Sequence, residues 1–483
     1  MKLKDLLSGV KVLEATADLE QNIETVAYDS RKVTSGGLFV AVSGFATDGN
    51  RFIPMALEKG VAAVVTAKRP EGDVPYILVE SDRQALAMIG CNFYGHPAKS
   101  MTMIGVTGTN GKTSVTLLLK QVLEKTLGAK VGLIGTMENQ IGDLVIPTER
   151  TTPESFELQG LFARMRDAGC QYVVMEVSSH AIALDRVGGV HFDVAAFTNL
   201  TEDHLDFHKT MEDYCDTKAR LFSRCDKAVM NCDDDWYERI RSAAACDILT
   251  TSVKQTADLQ AEDLQMNADG VSFTVTFGEK SVPAKVGIPG RFTVYNALSV
   301  LGIVAQLGID LEEAAAALAA AKGVRGRIEV VPTPGKPYTV LLDYAHTPDG
   351  LENVLSSARD FCKGRLIAVF GCGGDRDPIK RPIMGRIGVK LADFAVITSD
   401  NPRTEAPMDI ISDILKGIDD SCGEYVVIED RRKAIRYAMD KAQKDDIIIL
   451  AGKGHETYQE ICGVKYHLDE REEVAACLKE ARE

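Results

Sequence analysis

The stretch GVTGTNGKTS, residues 105–114, combines glycines, a lysine and hydroxyls at a spacing suited to holding phosphate. Gly108 and Gly111 let the backbone approach a phosphate closely, Lys112 supplies a mobile positive charge, and the Thr113 hydroxyl can face Mg²⁺. An apolar strand before the loop and the run TSVTLLLKQVLEKTL after it supply the context such a loop needs. The strict GxxxxGKT pattern fails, because Val106 stands where its first glycine belongs. That departure weakens the reading as an ordinary GTPase or motor, and a plain glycine turn is the alternative.

Other chemistry-bearing residues follow at the ends of apolar runs. Glu176 closes YVVMEVSS, where its carboxylate either reaches a Mg²⁺ held by the phosphate loop or lies in solvent. In TNLTEDHLDFH, His204 and His208 have the i, i+4 spacing of a helical zinc pair, yet Leu205 stands where a zinc hydrolase needs glutamate. Lys218 falls on the apolar stripe Met211, Tyr214, Leu221, Phe222. Spacing alone favours a stem lying on that stripe with its charge in water, over a lysine turned toward a nucleotide. GCGGDRD carries Arg376 in place of a third Rossmann glycine, so it speaks against dinucleotide binding. DNPR joins the turn Asn401–Pro402 to Arg403, whose fork suits carboxylates, and GKGHE offers Lys453, His455 and Glu456. Taken singly, DNPR is better read as a solvated turn, and GKGHE is a weak signal.

The elements that must position these residues suggest a multidomain α/β chain. A length of 483 residues predicts two to four domains, and 45% apolar with 26% charged residues is ordinary for a globular protein. The formal charge of −15 argues against general nucleic-acid or anionic-membrane binding and requires any anionic ligand to meet a local concentration of cations. Eleven cysteines without a CxxC pair predict reduced thiols, and no signal-peptide or membrane-spanning run is present, so a cytoplasmic chain is expected. Residues 1–98 read as a small α/β domain, with YGHPAKS (94–100) as linker. From Met101 strands alternate with helices as in a parallel nucleotide-binding sheet, and SFTVTFGEKSVPAKVGI predicts a hairpin. After the alanine-rich helix DLEEAAAALAAAKG, five apolar strands beginning at YTVLLDYAH predict a doubly wound C-terminal domain. HTPD, GGDRD, DNPR and GKGHE then lie beyond the carboxyl ends of its strands, where such sheets bind ligands.

In order along the chain, TGTNGKTS, EVSSHAI, FTNLTEDHLDFH, YCDTKARLF, GRFTVYNA, GRIE, DYAHTPDGLE, GCGGDRD, DNPR and AGKGHE resemble the motifs of the Mur ligases, which build the peptide stem of peptidoglycan. The resemblance spans essentially the whole chain. It implies three domains: a UDP-binding domain at 1–98, a central P-loop-type ATPase domain with a parallel sheet at 99–328, and a Rossmann-like amino-acid-binding domain at 329–483. Ser30, Phe45, Ala46 and Thr47 match uridine-binding positions, and Thr151, Thr152, Ser178 and Arg186 match positions for the muramoyl-peptide. Arg150 and Leu184 depart from the asparagine and glutamine that some relatives carry there. For ATP the resemblance implies Gly108, Thr109, Asn110, Gly111, Lys112, Thr113 and Ser114, with Asn296, Arg327 and Asp343 at adenosine and domain-bridging positions.

Thr113, Glu176 and His204 match the family's Mg²⁺ environment, and Lys218 matches a lysine that the family carries as a carbamate, which overturns the reading from spacing. The implied chemistry is ATP-driven amide formation through an acyl phosphate, with Lys112, Glu176, His204 and Lys218 as its catalytic set. The implied substrates are UDP-N-acetylmuramoyl-L-alanyl-D-glutamate and meso-diaminopimelate, the latter held by Arg381, Asp400, Asn401, Pro402, Arg403, Gly452 and Glu456. L-lysine as the added residue and a P-loop ATPase switch that makes no amide bond are the rival readings. A monomer is expected, with neither nucleic acid nor membrane as partner.

Overall fold

The computed structural model describes residues 1–44, 47–148, 150–267, 269–419 and 423–480, with the side chains of Asp206 and Glu480 outside that description. Its chain divides into two compact units, Met1–Met230 with Asp234–Leu249, and Asn231–Asp233 with Thr250–Glu483.

The first unit opens with a five-stranded sheet in the order Val12–Ala15, Tyr76–Val79, Ala63–Thr66, Leu38–Ala41, Val26–Ala27. Val12–Ala15 is antiparallel to its neighbour, and the remaining pairings are parallel. LFVA and AVVT are buried at every residue, as expected of strands covered on both faces. Leu86 and Ile89 of the helix Asp82–Phe93 pack on this sheet with Leu3, Leu6 and Ile23. The helix starts where the Ser81 hydroxyl accepts the Gln84 amide. The expected linker holds a 3₁₀ turn, Pro97–Ser100.

The same unit carries parallel strands in the order Cys225–Asn231, Phe192–Phe197, Thr102–Thr107, Tyr172–Glu176, Val131–Ile134. From Thr102–Thr107 the chain crosses through the helix Lys112–Leu127 to Val131–Ile134 on one side, whereas Phe192–Phe197 leads on to Cys225–Asn231 on the other. The sheet therefore has its switch point between Thr102–Thr107 and Phe192–Phe197, and loops leaving the two carboxyl ends there diverge around a crevice.

In the second unit Leu259–Asn267, Gly270–Phe277 and Lys280–Val286 form an antiparallel sheet packed against the helices Arg291–Gln306 and Leu311–Ala319. The last two strands are the hairpin expected from sequence. Leu259–Asn267 was not legible, because its register shifts between Glu262 and Gln265 and so breaks the period-two pattern.

The C-terminal sheet has the order Glu329–Val331, Thr339–Asp343, Ile447–Ala451, Leu366–Phe370, Phe394–Ile397, Glu424–Val427. The five expected strands are all parallel, and Glu329–Val331 adds an antiparallel edge. Among the described residues no helix is long and apolar enough to cross a membrane, and ten cysteines are free thiols.

Arg431, at the start of the helix Arg431–Lys441, is fully buried in this domain. Its Nε lies 2.8 Å from Glu470 Oε1, and its Nη2 donates to the Ala451 carbonyl at 2.8 Å. Burial pushes the Glu470 carboxyl up, more than Arg431 draws it down. The pair fastens the final helix, Glu470–Glu480, to the end of the central strand. Breaking a buried pair leaves one charge uncompensated, so Arg431→Met should lower stability by about 3–5 kcal/mol, whereas Arg431→Met with Glu470→Met should recover most of the loss. Urea-unfolding midpoints of the three proteins check this.

Candidate active site

Gly108 leaves the central strand with φ of 150°, and a Cβ there would lie 1.9 Å from the Thr198 hydroxyl oxygen. Only glycine fits. The loop is tied across the switch point: Thr109 N–H donates to the Asn199 carbonyl at 2.8 Å, Asn110 N–H to Asn199 Oδ1 at 2.9 Å, and Thr198 Oγ1 to the Asn110 carbonyl at 2.6 Å. Gly111 caps the helix Lys112–Leu127, whose first-turn N–H groups favour an anion, and Thr113 is buried in that turn beside Ser114.

Lys112 Nζ donates to the Gly108 and Thr109 carbonyls at 2.8 and 2.7 Å. Lys218 Nζ reaches the same Gly108 oxygen at 2.9 Å and lies 4.5 Å from the centre of the Tyr214 ring. Lys218 is 1% exposed, so its charge does not reach water as spacing alone suggested. The α-helix ends at Ala219 and continues as a 3₁₀ turn, Arg220–Ser223, with Tyr214, Cys215 and Thr217 buried around the lysine. Burial, reinforced by repulsion from Lys112, holds the Lys218 amine well below its usual range.

Glu176 is buried, which decides against a solvent-exposed rim. Its Oε1 accepts the Thr136 N–H and its Oε2 the Thr136 hydroxyl, both at 2.9 Å. The Thr152 hydroxyl donates to the Glu176 carbonyl at 2.8 Å, Ser178 N–H to Thr152 Oγ1 at 3.2 Å, and Arg186 Nη1 to the Thr152 carbonyl at 3.2 Å. Thr151 Oγ1 lies 3.1 Å from Thr136 Oγ1. Thr151, Thr152, Ser178 and Arg186 thus share one cluster around the end of Tyr172–Glu176.

Two residues there had no local sequence signal. Glu154 Oε1 lies 2.9 Å from Arg186 Nε and 3.8 Å from Arg150 Nη1, and its Oε2 lies 3.6 Å from Arg83 Nη1. Arg83 also approaches the Leu184 carbonyl at 3.5 Å, so Leu184 takes part through its backbone. In the N-terminal sheet domain Ser30 is buried, its carbonyl accepting Lys59 Nζ at 2.8 Å, and the Thr47 carbonyl accepts Gly44 N–H at 3.1 Å. Phe45 and Ala46 lie outside the described residues.

His204 has φ of 55° and precedes the short helix Leu205–His208, so the two histidines are not paired on one helical face. His208 is buried with Nε2 2.9 Å from Ser179 Oγ, whereas the His204 ring meets His180 edge-on at 4.8 Å. Among the described residues no three His, Cys, Asp or Glu side chains form a metal-binding group. A left-handed non-glycine residue is strained, and strain of this kind gathers at functional sites.

In the second unit, Asp343 Oδ2 accepts Ile328 N–H and Oδ1 accepts Ala345 N–H, both at 2.8 Å, while burial raises its carboxyl despite Arg327 nearby. The Arg327 guanidinium lies 5.1 Å from the centre of the Tyr344 ring, and Asn296 is buried in Arg291–Gln306.

Beyond the strand ends, Arg403 has φ of 52°, with its N–H on the Glu460 carbonyl at 3.0 Å and its carbonyl accepting Cys462 N–H at 2.7 Å. That hairpin, Tyr458–Ile461 with Val464–His467, was not foreseen from sequence. Arg403 Nη1 donates to the Gly374 carbonyl at 2.6 Å, and Pro402 follows a buried Asn401 whose Nδ2 donates to Glu456 Oε2 at 2.9 Å. Arg381 is 3% exposed, with Nη2 2.8 Å from Glu405 and Nη1 2.9 Å from Asp413. It braces the turn that follows Arg403. Asp400 is buried, and Gly452 lies against it, since a Cβ on Gly452 would fall 2.5 Å from Asp400 Oδ2.

Gly108→Ala introduces a contact that the loop relieves only by moving, at a strain of the order of 1–3 kcal/mol. Calorimetric titration with ADP should show affinity reduced by roughly tenfold or more, in a protein of unchanged circular dichroism.

Family models match in chain order: "Mur ligase family, catalytic domain" at residues 22–94, "Mur ligase middle domain" at 106–304, and "Mur ligase, glutamate ligase domain" at 326–454. The chain is 49% identical, over all of both sequences, to a UDP-N-acetylmuramoyl-L-alanyl-D-glutamate–2,6-diaminopimelate ligase of Caldanaerobacter subterraneus subsp. tengcongensis. It is 48% identical, over 99% of its length and 100% of the relative's, to ligase 1 of the same name from Clostridium acetobutylicum. A solved structure of a ligase with that name aligns with a TM-score of 0.75 and 32% identity, covering 100% of this chain and 99% of the other. With matching family models along its length and close relatives over all of it, the chain belongs to the Mur ligase family.

Proposed function

We propose that the chain is an ATP-dependent amide ligase that joins meso-diaminopimelate to UDP-N-acetylmuramoyl-L-alanyl-D-glutamate during assembly of peptidoglycan precursors. The observation that carries this reading is its near-half identity, end to end, to ligases of that name, in a chain whose phosphate loop and DNPR cluster are both formed. Work in the cytoplasm as a monomer, and domains at 1–98, 99–328 and 329–483, belong to the same proposal.

The γ-phosphoryl group of ATP passes to the D-glutamyl carboxylate, giving an acyl phosphate that the incoming amine attacks as phosphate leaves. Lys112 and the first turn of its helix offset the charge that builds between two anions brought together. Thr113 and Glu176 offer the hard oxygen donors that Mg²⁺ takes alongside phosphate oxygens and water, and His204 is assigned to the same ion. Each Glu176 oxygen that accepts from Thr136 keeps a further lone pair for such an ion. When bound, Mg²⁺ supplies positive charge to the transferring phosphoryl group. Thr151, Thr152, Ser178 and Arg186 orient the muramoyl-peptide, and Ser30 with Phe45, Ala46 and Thr47 holds its uridine. Asn296, Arg327 and Asp343 keep their assignment to adenosine and domain-bridging positions.

Lys218 fits a carbamate, because only the neutral amine adds to CO₂, forming the N–C bond and releasing one proton. Its burial favours that neutral form. Lys218→Ala should be inactive and partly restored by acetate, and enzyme equilibrated with ¹³C-bicarbonate should show a carbamate carbon resonance that this variant lacks. An active enzyme without the resonance would exclude the modification.

The choice of amino acid rests on the far end of the substrate, where diaminopimelate carries a carboxylate and lysine does not. Arg403 Nη2 has no protein partner among the described residues and is the part of the fork left for that carboxylate. Glu456 and the Gly452 carbonyl receive the ammonium. Arg381 holds Glu405, whose N–H donates to the Pro402 carbonyl, and Asp400 and Pro402 shape the turn. A site built for a polar group rejects its absence by about 10⁴-fold, and kcat/KM should favour diaminopimelate over lysine by that order. Arg403→Ala should collapse the preference. Comparable values for both amino acids in the unaltered enzyme would overturn the assignment.

A further inference from the structure

The GKGHE stretch contains a lysine to which the ligase reading gives no part. Lys453 is 0% exposed, in the loop that leaves the central strand Ile447–Ala451 of the C-terminal sheet. Gly452 brings the backbone against Asp400, and the side chain that follows turns inward rather than to water. Its Nζ donates to Asn401 Oδ1 at 2.6 Å and lies 3.2 Å from Glu456 Oε2 and 3.3 Å from Asp400 Oδ1. The Tyr458 ring closes the remaining side, 5.6 Å from Nζ.

These contacts settle two orientations. Asn401 Oδ1 accepts from Lys453 and also from Glu460 N–H at 2.9 Å, so a flipped amide would set its own N–H groups against two donors. The unflipped amide directs Nδ2 to Glu456 Oε2 at 2.9 Å, so Glu456 accepts from both Asn401 and Lys453. Charge is settled as well. Asp400 and Glu456 face one ammonium, and Arg431, which meets Glu470, adds its positive charge behind Asp400. Burial pushes the Asp400 carboxyl up, but Lys453 and Arg431 outweigh it and hold the group below the ordinary range. A carboxylate fixed in this way by two donors complements one alkylammonium.

We propose that Lys453 is a positioning residue of the amino-acid site, whose buried ammonium locks Asn401 and Glu456 in one arrangement and leaves room for a single ammonium of the incoming amino acid. The proposal rests on the reading that the amino acid binds at Asn401, Arg403 and Glu456. Without Lys453 two carboxylates would repel each other, and Asn401 Oδ1 would keep one of its two donors, the Glu460 N–H.

The test uses the full-length enzyme with ATP, the UDP-muramoyl-dipeptide and meso-diaminopimelate, following ADP release. Lys453→Met should raise KM for diaminopimelate by about tenfold or more, while KM for ATP and for the UDP substrate stays within about twofold. Lys453→Ala should regain part of the lost affinity in n-propylammonium chloride, and not in sodium chloride of equal strength. A purely structural lysine predicts instead a lower melting temperature, with all three KM values moved together or none moved, and no response to the amine. Either result overturns the proposal. Glu456→Gln and Arg403→Ala, measured alongside, separate the two levels. If neither changes KM for diaminopimelate, the site reading itself fails. If both raise it and Lys453→Met does not, the role of Lys453 alone fails.

Discussion

Two lysine nitrogens share one backbone oxygen, the carbonyl of Gly108, and much of the first unit follows from holding them there. Burial, reinforced by repulsion between like charges this close, favours the neutral form of the buried member. The half-buried member stays at the start of a helix, where the first-turn N–H groups already favour an anion. A chain with a formal charge of −15 can receive a phosphate only where cations are concentrated in this way. The switch in strand order makes the arrangement possible, because Thr198 and Asn199 leave the neighbouring strand just where the phosphate loop needs partners for its backbone.

The C-terminal domain solves the opposite problem. It gathers carboxylates, and a buried carboxylate without a partner is costly. Asp400, Glu456, Lys453 and Asn401 answer this as a connected group in which each buried polar side chain has a partner. Arg431 and Glu470 form a second pair behind it and tie the last helix to the same strand end. The carboxylates of this group are thereby coupled to the packing of the domain.

Backbone conformation joins the two regions in kind. His204 and Arg403 are both non-glycine residues in the left-handed region, each beside a cluster that handles charge. Arg403 is kept there by its two hydrogen bonds to the hairpin that begins at Tyr458. A side chain delivered from a strained, doubly anchored residue has few alternative positions.

The sequence by itself determined the local elements and the chemical vocabulary. Apolar runs such as LIAVF and IIILA specify buried parallel strands, and TGTNGKTS specifies a glycine loop ahead of a helix, because these depend on neighbours a few residues away. The ordered motifs pointed to the family for the same reason. Lys218 shows where local reading stops: its stripe on the helix was visible, but its burial against Gly108 joins segments far apart in the chain. Thr136 on Glu176, Glu154 between Arg83 and Arg186, and Lys453 on Asn401 are contacts of the same kind. Arg381 was legible as a cation, whereas its engagement by Glu405 and Asp413 was not. Which polar groups meet, and which charges are left unbalanced, was decided by strand order and loop packing, since desolvation and Coulomb energies depend on distance in space and not along the chain.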